Sequence, residues 1–358
     1  MPPEMGPGAR ARGPAQGPVR VDTNPPAEAW ESYVGAHPGA SLFHGLAWQR
    51  TLERTFPSYR PCHRIAWRGD SVCGVLPLYR VPGLPFGCSL ISTPLAVYGG
   101  VCADDDEAAQ ALVEDAASYA RKIGAHYVEL RNERSVGSLP TKDLYVTFKR
   151  EIHADHQANL MAMPAERRRA IRIAEGHGIT VRPGGAELLA PFYDVYTRNM
   201  RSLGSPAFPR RLFETLLEEY GTQVRLFGVF HGETMTSAAV TFLYRDQVMP
   251  YYCASTPAGM SVHTNESMYW NMMRYGADHG FKVFDFGRSK KDTGSYHFKR
   301  RWGITPTPLP YQYRLITQGE MPNLSPTNPK FALVIWTWQR MPLPLTRWLG
   351  PKLARYFA

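Results

Sequence analysis

Two stretches of this chain, about 160 residues apart, repeat one order of elements. A repeat at that spacing means a duplicated domain, since solenoid units are far shorter. The first stretch opens "HRIAWRGDSVCGVLPLYR" (63–80) and the second "VRLFGVFHGETMTSAAVTFLYR" (224–245). In each, two apolar runs flank a turn of Gly and an acidic residue, which predicts a β-hairpin. Further strand-like sequence and then a helix follow in both. In "EAAQALVEDAASYARKIG" Leu112, Ala116, Tyr119, Ala120 and Ile123 share one face. In "TNESMYWNMMRYGADHG" Met268, Met272, Met273 and Gly276 do so, with Thr264 or Asn265 as cap. The methionine face reads as core, because flexible thioethers fill irregular gaps. Each helix is predicted to stop at a glycine, Gly124 and Gly280, where a left-handed residue ends a helix at little cost. Each then enters a short apolar strand that runs to an arginine, "AHYVELR" (125–131) and "FKVFDFGR" (281–288).

A chain of 358 residues, 44% hydrophobic and 20% charged, has material for two such domains, each with its own core. The element order predicts a disordered tail (1–26), a first domain (27–155), a second domain (156–318) and a C-terminal tail (319–358). The opening segment is rich in Gly, Pro and Ala and lacks the apolar run of a signal peptide. Cys62, Cys73, Cys88, Cys102 and Cys253 are odd in number and scattered, without a C-x-x-C pair. That pattern argues for reduced thiols and a cytoplasmic location, and against a zinc ribbon or a disulfide scaffold. No apolar run approaches the roughly 18 residues that a membrane span needs.

The net charge of +10 is informative where it is concentrated. One concentration is "MPAERRRAIRIAEGHGITVRP" (163–183), predicted helical from Pro164 to Gly176. There Arg167, Arg168, Arg169 and Arg172 fall on successive helix positions, so some must face solvent. Two more helices are expected at 186–202 and 209–220. The other concentration is "FDFGRSKKDTGSYHFKRRWG" (284–303), which places six lysines and arginines directly after the last strand of the second copy.

These two segments resemble a known family. "RRAIRIAEGHGI" is similar to the basic helix that opens the second domain of FemAB-type transferases, relatives within the GNAT superfamily. "GSYHFKRRWG" is similar to their G-h-x-x-F-K-x-x-[FW]-G signature. "DFGRSK" also looks like the branch associated with exosortase/PEP-CTERM exopolysaccharide systems. The resemblance spans about residues 30 to 316 and is most specific over 160–180 and 264–310. It implies an α/β (α+β) fold of two tandem GNAT-like domains, with mixed sheets flanked by helices and a helical C-terminal tail. It also implies acyl or aminoacyl transfer to an amine, often on a cell-wall precursor, with aminoacyl-tRNA as donor in the best-known members.

Such transfer passes through a tetrahedral oxyanion, and donors aimed at that charge carry most of the catalysis. By the family motif Phe298 and Lys299 match the F-K pair, so Lys299 is the expected stabiliser of negative charge. Arg288 stands just past a strand end, where open α/β sheets place ligand groups. It is either an anion ligand or half of a salt bridge with Asp285 or Asp292. Asp285 and His297 are the candidate general bases. Ser289, Gly294 and Ser295 offer backbone or hydroxyl donors, and Tyr296, Phe298, Arg167 and Arg172 complete the expected substrate-binding set. No metal or resident cofactor is expected; aminoacyl-tRNA or acyl-CoA would be co-substrates. Before the second helix, "STPAGMSVHTNES" lacks the [RQ]-x-x-G-x-[GA] loop that cradles the CoA pyrophosphate, which leaves aminoacyl-tRNA or another activated acyl group open as donor. "HADH" (153–156) has no partner ligands for a metal, and Cys253 reads as a small buried thiol.

From residue 321 onward there are five basic residues and no acidic one, with Trp336, Trp338 and Trp348 among Leu and Pro. Residues 330–358 therefore suit either the interface of an anionic bilayer, which would put the protein on the inner membrane's cytoplasmic side, or a pair of helices capping the second domain. Two functions fit the whole. One is an N-acyl or aminoacyl transferase acting on an amine of an envelope or exopolysaccharide precursor. The other is a non-catalytic protein holding RNA or a polyanionic glycan in a basic groove.

Overall fold

The computed structural model describes residues 17–83, 87–322 and 332–356. The first half runs β1 (Val19–Asp22), α1 (Ala27–Ala36), α2 (Leu46–Thr55), β2 (Arg60–Pro61), β3 (Arg64–Arg68), β4 (Ser71–Leu76), β5 (Tyr79–Pro82), β6 (Cys88–Ile91), β7 (Cys102–Ala103), α3 (Asp106–Lys122), β8 (Tyr127–Arg131), β9 (Thr141–Thr147) and β10 (Lys149–Glu151). The second adds α4 (His156–Met161), α5 (Ala165–Gly176), β11 (Ile179–Gly184), α6 (Leu189–Ser202), α7 (Arg210–Tyr220), β12 (Val224–His231), β13 (Thr234–Tyr244), β14 (Gln247–Ser255), α8 (Pro257–Ser261), α9 (Thr264–Asp278), β15 (Val283–Asp285), β16 (Ser289–Lys290), α10 (Gly294–Arg300) and β17 (Thr307–Leu315). Helices α11 (Ala332–Arg340) and α12 (Leu343–Ala354) follow. No helix of the described residues is long and apolar enough to cross a membrane.

The duplication is a structural fact. Proline at 77 has no N–H for the ladder, and the chain bends there between β4 and β5. With β4–β5 counted as one bent strand, the first copy orders its neighbours β1, β3, β4–β5, β6, β8. The second orders them β11, β12, β13, β14, β15. In both, only the last pair is parallel, β6 with β8 and β14 with β15. Helices α3 and α9 make the two crossovers, and Gly124 and Gly280 end them in the left-handed region (φ 61° and 78°). The cap of α9 is His263, one residue before the two candidates.

The expected boundaries need correction at three places. Residues 1–16 of the expected tail lie outside the described residues, but Val19–Asp22 within it forms β1, paired antiparallel with β3. Strand β17, in the second half by sequence, pairs antiparallel with β8 and β9 of the first. Strand β10, in the first half, pairs with β15 of the second. Each copy thus borrows a strand to cover the edge beside its parallel pair. An uncovered edge would leave a row of backbone donors and acceptors unpaired. Short strands carry no local signal of which sheet they will join.

The halves also share a core. Phe43 and Trp48 pack edge-on against Phe242, and Arg50 and Arg54 of α2 pair with Glu219 and Glu218 of α7. The α11–α12 pair rests on α6 and the loop after it: Ile335 presses against Gly204, and Gly350 lies on Ala207.

Because β17 couples the copies, both should unfold in one urea transition. Tyr313 on β17 donates to buried Glu129 (2.9 Å), so Tyr313→Phe is expected to lower stability by about 1–2 kcal/mol without splitting that transition. Separate unfolding of the halves in either protein would contradict the coupling.

Candidate functional site

Segment 284–303 departs from one sheet and joins another. Strands β14 and β15 pair only through Gln247–Val283 and Val248–Phe284, after which β14 runs on to Ser255 without this neighbour. The chain turns at Gly287 (φ 70°), and Ser289–Lys290 then pairs with β9 in the sheet of the first half. The turn therefore sits at the junction of the two copies.

Asp285 at the end of β15 is fully buried, and its carboxylate is closely attended. It accepts from Tyr98 Oη at 2.7 Å and from the Gly287 N–H at 2.7 Å, with Thr147 Oγ1 at 3.4 Å and Lys149 Nζ at 3.6 Å. Lys149 also pairs with Glu133 (3.2 Å). Burial by itself would lower the Lys149 ammonium, yet Asp285 and Glu133 together raise it. Burial, reinforced by Asp285, holds the Tyr98 phenol far above its ordinary range. Asp285, expected as a candidate general base, joins the two halves as a hub through these contacts.

Lys299 projects inward from α10 and is buried. Its ammonium donates to the carbonyls of Gly287 and Arg288, both at 2.9 Å. Burial lowers its pKa to about 8 against the opposing pull of Asp285. Two of its three N–H donors are thus committed to holding the turn.

Arg288, at that turn, lies over two tyrosine rings, with its guanidinium carbon 4.5 Å from the Tyr145 centroid and 5.3 Å from Tyr311. Nη1 donates to Tyr311 Oη (3.0 Å), which itself donates to the Val97 carbonyl (2.7 Å). Neither alternative salt bridge, to Asp285 or to Asp292, is present among the described residues. The planar cation is held by aromatic faces and keeps fork-shaped donors for an anion. Lys142 and Lys290 stand nearby: cross-strand pairing sets Lys290 beside Tyr145 and Lys142 beside Tyr311. Burial, then the charges of Arg288 and Lys142, lower Lys290 to about 8. Cations that depress one another in this way gain when a phosphate or carboxylate joins them.

The other expected residues scatter. Arg167 is buried in α5 and spent on ion pairs with Glu266 and Glu166, both at 2.6 Å, so it fastens α5 to α9 and is not a substrate ligand. Arg172 is exposed on the same helix. Ser289 is buried with no hydrogen-bond partner for Oγ among the described residues. Ser295 is exposed and 3.1 Å from Thr293 Oγ1, and His297 is exposed on α10. Tyr296 packs edge-on to Phe148, and Phe298 packs on Tyr269 and Trp302. Burial pushes up the Cys253 thiol, the reverse of what a nucleophile needs. Reading for motifs missed Tyr98, Lys142, Tyr145, Thr147, Lys149 and Tyr311. Alternation offered a signal, because Tyr145, Thr147 and Lys149 recur at every second position.

Residues 164–300 match the family model described as "Acetyltransferase (GNAT) domain", a span that includes both Arg288 and Lys299. No curated protein matches the chain at a significant level. Among solved structures, FemX superposes with a TM-score of 0.62 at 16% identity, covering 88% of this chain and 100% of that one. L-PGS from Bacillus licheniformis gives 0.52 at 13%, covering 92% and 98%. The C-terminal domain of an Agrobacterium fabrum protein assigned as a lysylphosphatidylglycerol synthetase gives 0.54 at 13%, covering 82% and 91%. Residues 164–300 thus match a GNAT-type domain, and the chain around them shares the fold of FemX.

The Lys299 environment has a consequence for stability. Its folded pKa, about 8, lies below the ordinary 10.5, so the folded state loses the proton first as pH rises. Burying the ammonium costs stability below pH 8, and that cost is relieved between about pH 8 and pH 10.5. Measured by urea unfolding, wild type should gain on Lys299→Met by about 2–3 kcal/mol across that window. A pH-independent difference would remove this assignment.

Proposed function

We propose that this GNAT-domain protein moves an acyl or aminoacyl group from an activated donor to an amine on an anionic cell-envelope or exopolysaccharide precursor, at the cytoplasmic face. The observation that carries the reading is Arg288. It stands within the matched domain, past a strand end, held between Tyr145 and Tyr311 with Lys142 and Lys290 close by. Such a cradle suits the phosphate or carboxylate of an acceptor better than a neutral amine. The structural neighbours lend support: a lysylphosphatidylglycerol synthetase, by its name, joins lysine to phosphatidylglycerol.

The chemistry is simple in outline. The neutral amine attacks the donor carbonyl, a C–N bond forms, and charge gathers on the carbonyl oxygen. Collapse breaks the bond to the leaving oxygen or sulfur, which takes up the proton that the amine gives away. Fixing the acceptor's anionic part orients the amine for that attack. Lys299 contributes by clamping the Gly287 and Arg288 carbonyls, which aims the Arg288 side chain. It is a positioning residue in this scheme. For the donor, aminoacyl-tRNA is favoured over acyl-CoA. Where a CoA loop would stand, the Gly259 N–H is already donated to Thr256 Oγ1 (3.1 Å).

A mass-spectrometric screen of charged tRNAs and acyl-CoAs with amine-bearing, phosphate-linked acceptors tests the reading. Arg288→Ala should raise KM and lower kcat/KM by roughly ten- to a hundredfold, the loss of a charge-assisted contact. Lys299→Ala should reduce kcat as well, with partial rescue by Lys299→Arg. Salt-sensitive binding of RNA or glycan without any transfer would replace this function with a binding role.

A further inference from the structure

Helices α11 and α12 repeat a surface pattern that nothing in the transfer reading uses. Each carries Leu, then Trp three residues on, then a basic residue four beyond that: Leu333–Trp336–Arg340 and Leu345–Trp348–Lys352. At 3.6 residues per turn these positions form one stripe on each helix. The four apolar members are strongly exposed, Leu333 at 74%, Trp336 at 53%, Leu345 at 40% and Trp348 at 60%. Their opposite faces are accounted for. Trp338 of α11 and Thr346, Gly350 and Ala354 of α12 are buried toward α6 and the loop after it. So the two docked helices turn matching stripes away from the fold.

In both stripes the cation lies on the indole. Arg340 is 4.0 Å from the Trp336 centroid and Lys352 is 3.6 Å from that of Trp348. We infer that this face docks on an anionic phospholipid bilayer, with the leucines and indoles entering the headgroup boundary and Arg340 and Lys352 meeting lipid phosphates. Charge complementarity selects this occupant. Residues 332–356 hold four basic side chains and no Asp or Glu; Arg347 pairs with Asp194, whereas Arg340 and Arg355 donate to the neutral Trp336 carbonyl and Tyr356 hydroxyl, and among the described residues no acid meets Arg340, Lys352 or Arg355. A second copy of the chain would bring identical cations together with no acid in the segment to meet them. A bilayer interface offers what each stripe lacks: a shallow apolar layer for Leu and Trp, under a plane of phosphates for the cation.

The test uses the full chain and vesicles of phosphatidylcholine alone or mixed with phosphatidylglycerol, with no donor or acceptor present, so its result is independent of catalysis. The protein should sediment with the phosphatidylglycerol vesicles, bind the neutral ones weakly, and release as salt rises. The pair Trp336→Ala/Trp348→Ala should lose about tenfold or more in binding to both vesicle types, since each change removes an interfacial aromatic. The pair Arg340→Glu/Lys352→Glu should lose the preference for phosphatidylglycerol. All four side chains are exposed, so an unchanged thermal melt is the control for folding. Wild type that stays in the supernatant, or variants that bind as it does, would overturn the proposal. So would a dimer in free solution that the tryptophan pair dissolves, with no vesicle binding.

Discussion

Strand β17 is hydrogen-bonded along both edges to strands from the other half of the chain, β8 on one side and β9 on the other. Most of the junction follows from that insertion. It brings Tyr311 beside Tyr145, so that Arg288 finds two rings, and it delivers Tyr313 to Glu129. Strand β10 makes the reciprocal loan and places Lys149 opposite Asp285. Two domains that merely touched could shift against one another. Domains that complete each other's sheets cannot do so without breaking backbone ladders, and the groups at the junction inherit that rigidity.

The paired loans explain how two buried carboxylates coexist in the fold. Glu129 and Asp285 occupy matching places, each on the strand that follows a copy's crossover helix and each facing the borrowed strand. Glu129 is met by Arg131 on its own strand and by the Tyr313 hydroxyl. Asp285 is met by Tyr98, Gly287 N–H and Lys149. An unpaired buried carboxylate would neutralise or destabilise the fold. Here the exchange of strands supplies part of the compensation at both sites.

What could be read from the chain was local. The hairpins, the crossover helices and their stops at Gly124 and Gly280 each depend on residues within a few positions, and period and turn chemistry suffice for them. Segment 284–303 leaves one sheet and, past the turn at Gly287, joins the other. The partners of its residues could not be read, since Tyr145 and Tyr311 come from strands of either half. Arg167 shows the converse. Four basic residues in one helix look like a solvated or ligand-binding face, yet Glu266, a hundred residues away, takes one of them into the core. Charge counts in sequence do not distinguish a cation that is spent from one that is available.

The two copies have also divided their labour. In the first, Arg131 spans the opening beyond β6, donating to the Thr93 and Ala96 carbonyls while Glu129 holds its guanidinium. With Nε on Glu129 and Nη1 on those two carbonyls, this arginine closes the copy. In the second, the arginine after the corresponding strand falls beyond an extra turn at Gly287. The carbonyls there are taken by Lys299, from a helix the first copy lacks. Because Lys299 does the closing, Arg288 is released from it and is directed onto tyrosine rings, with donors to spare. One copy keeps its arginine for closing the strand end, and in the other a lysine takes that task while the arginine packs on tyrosine rings.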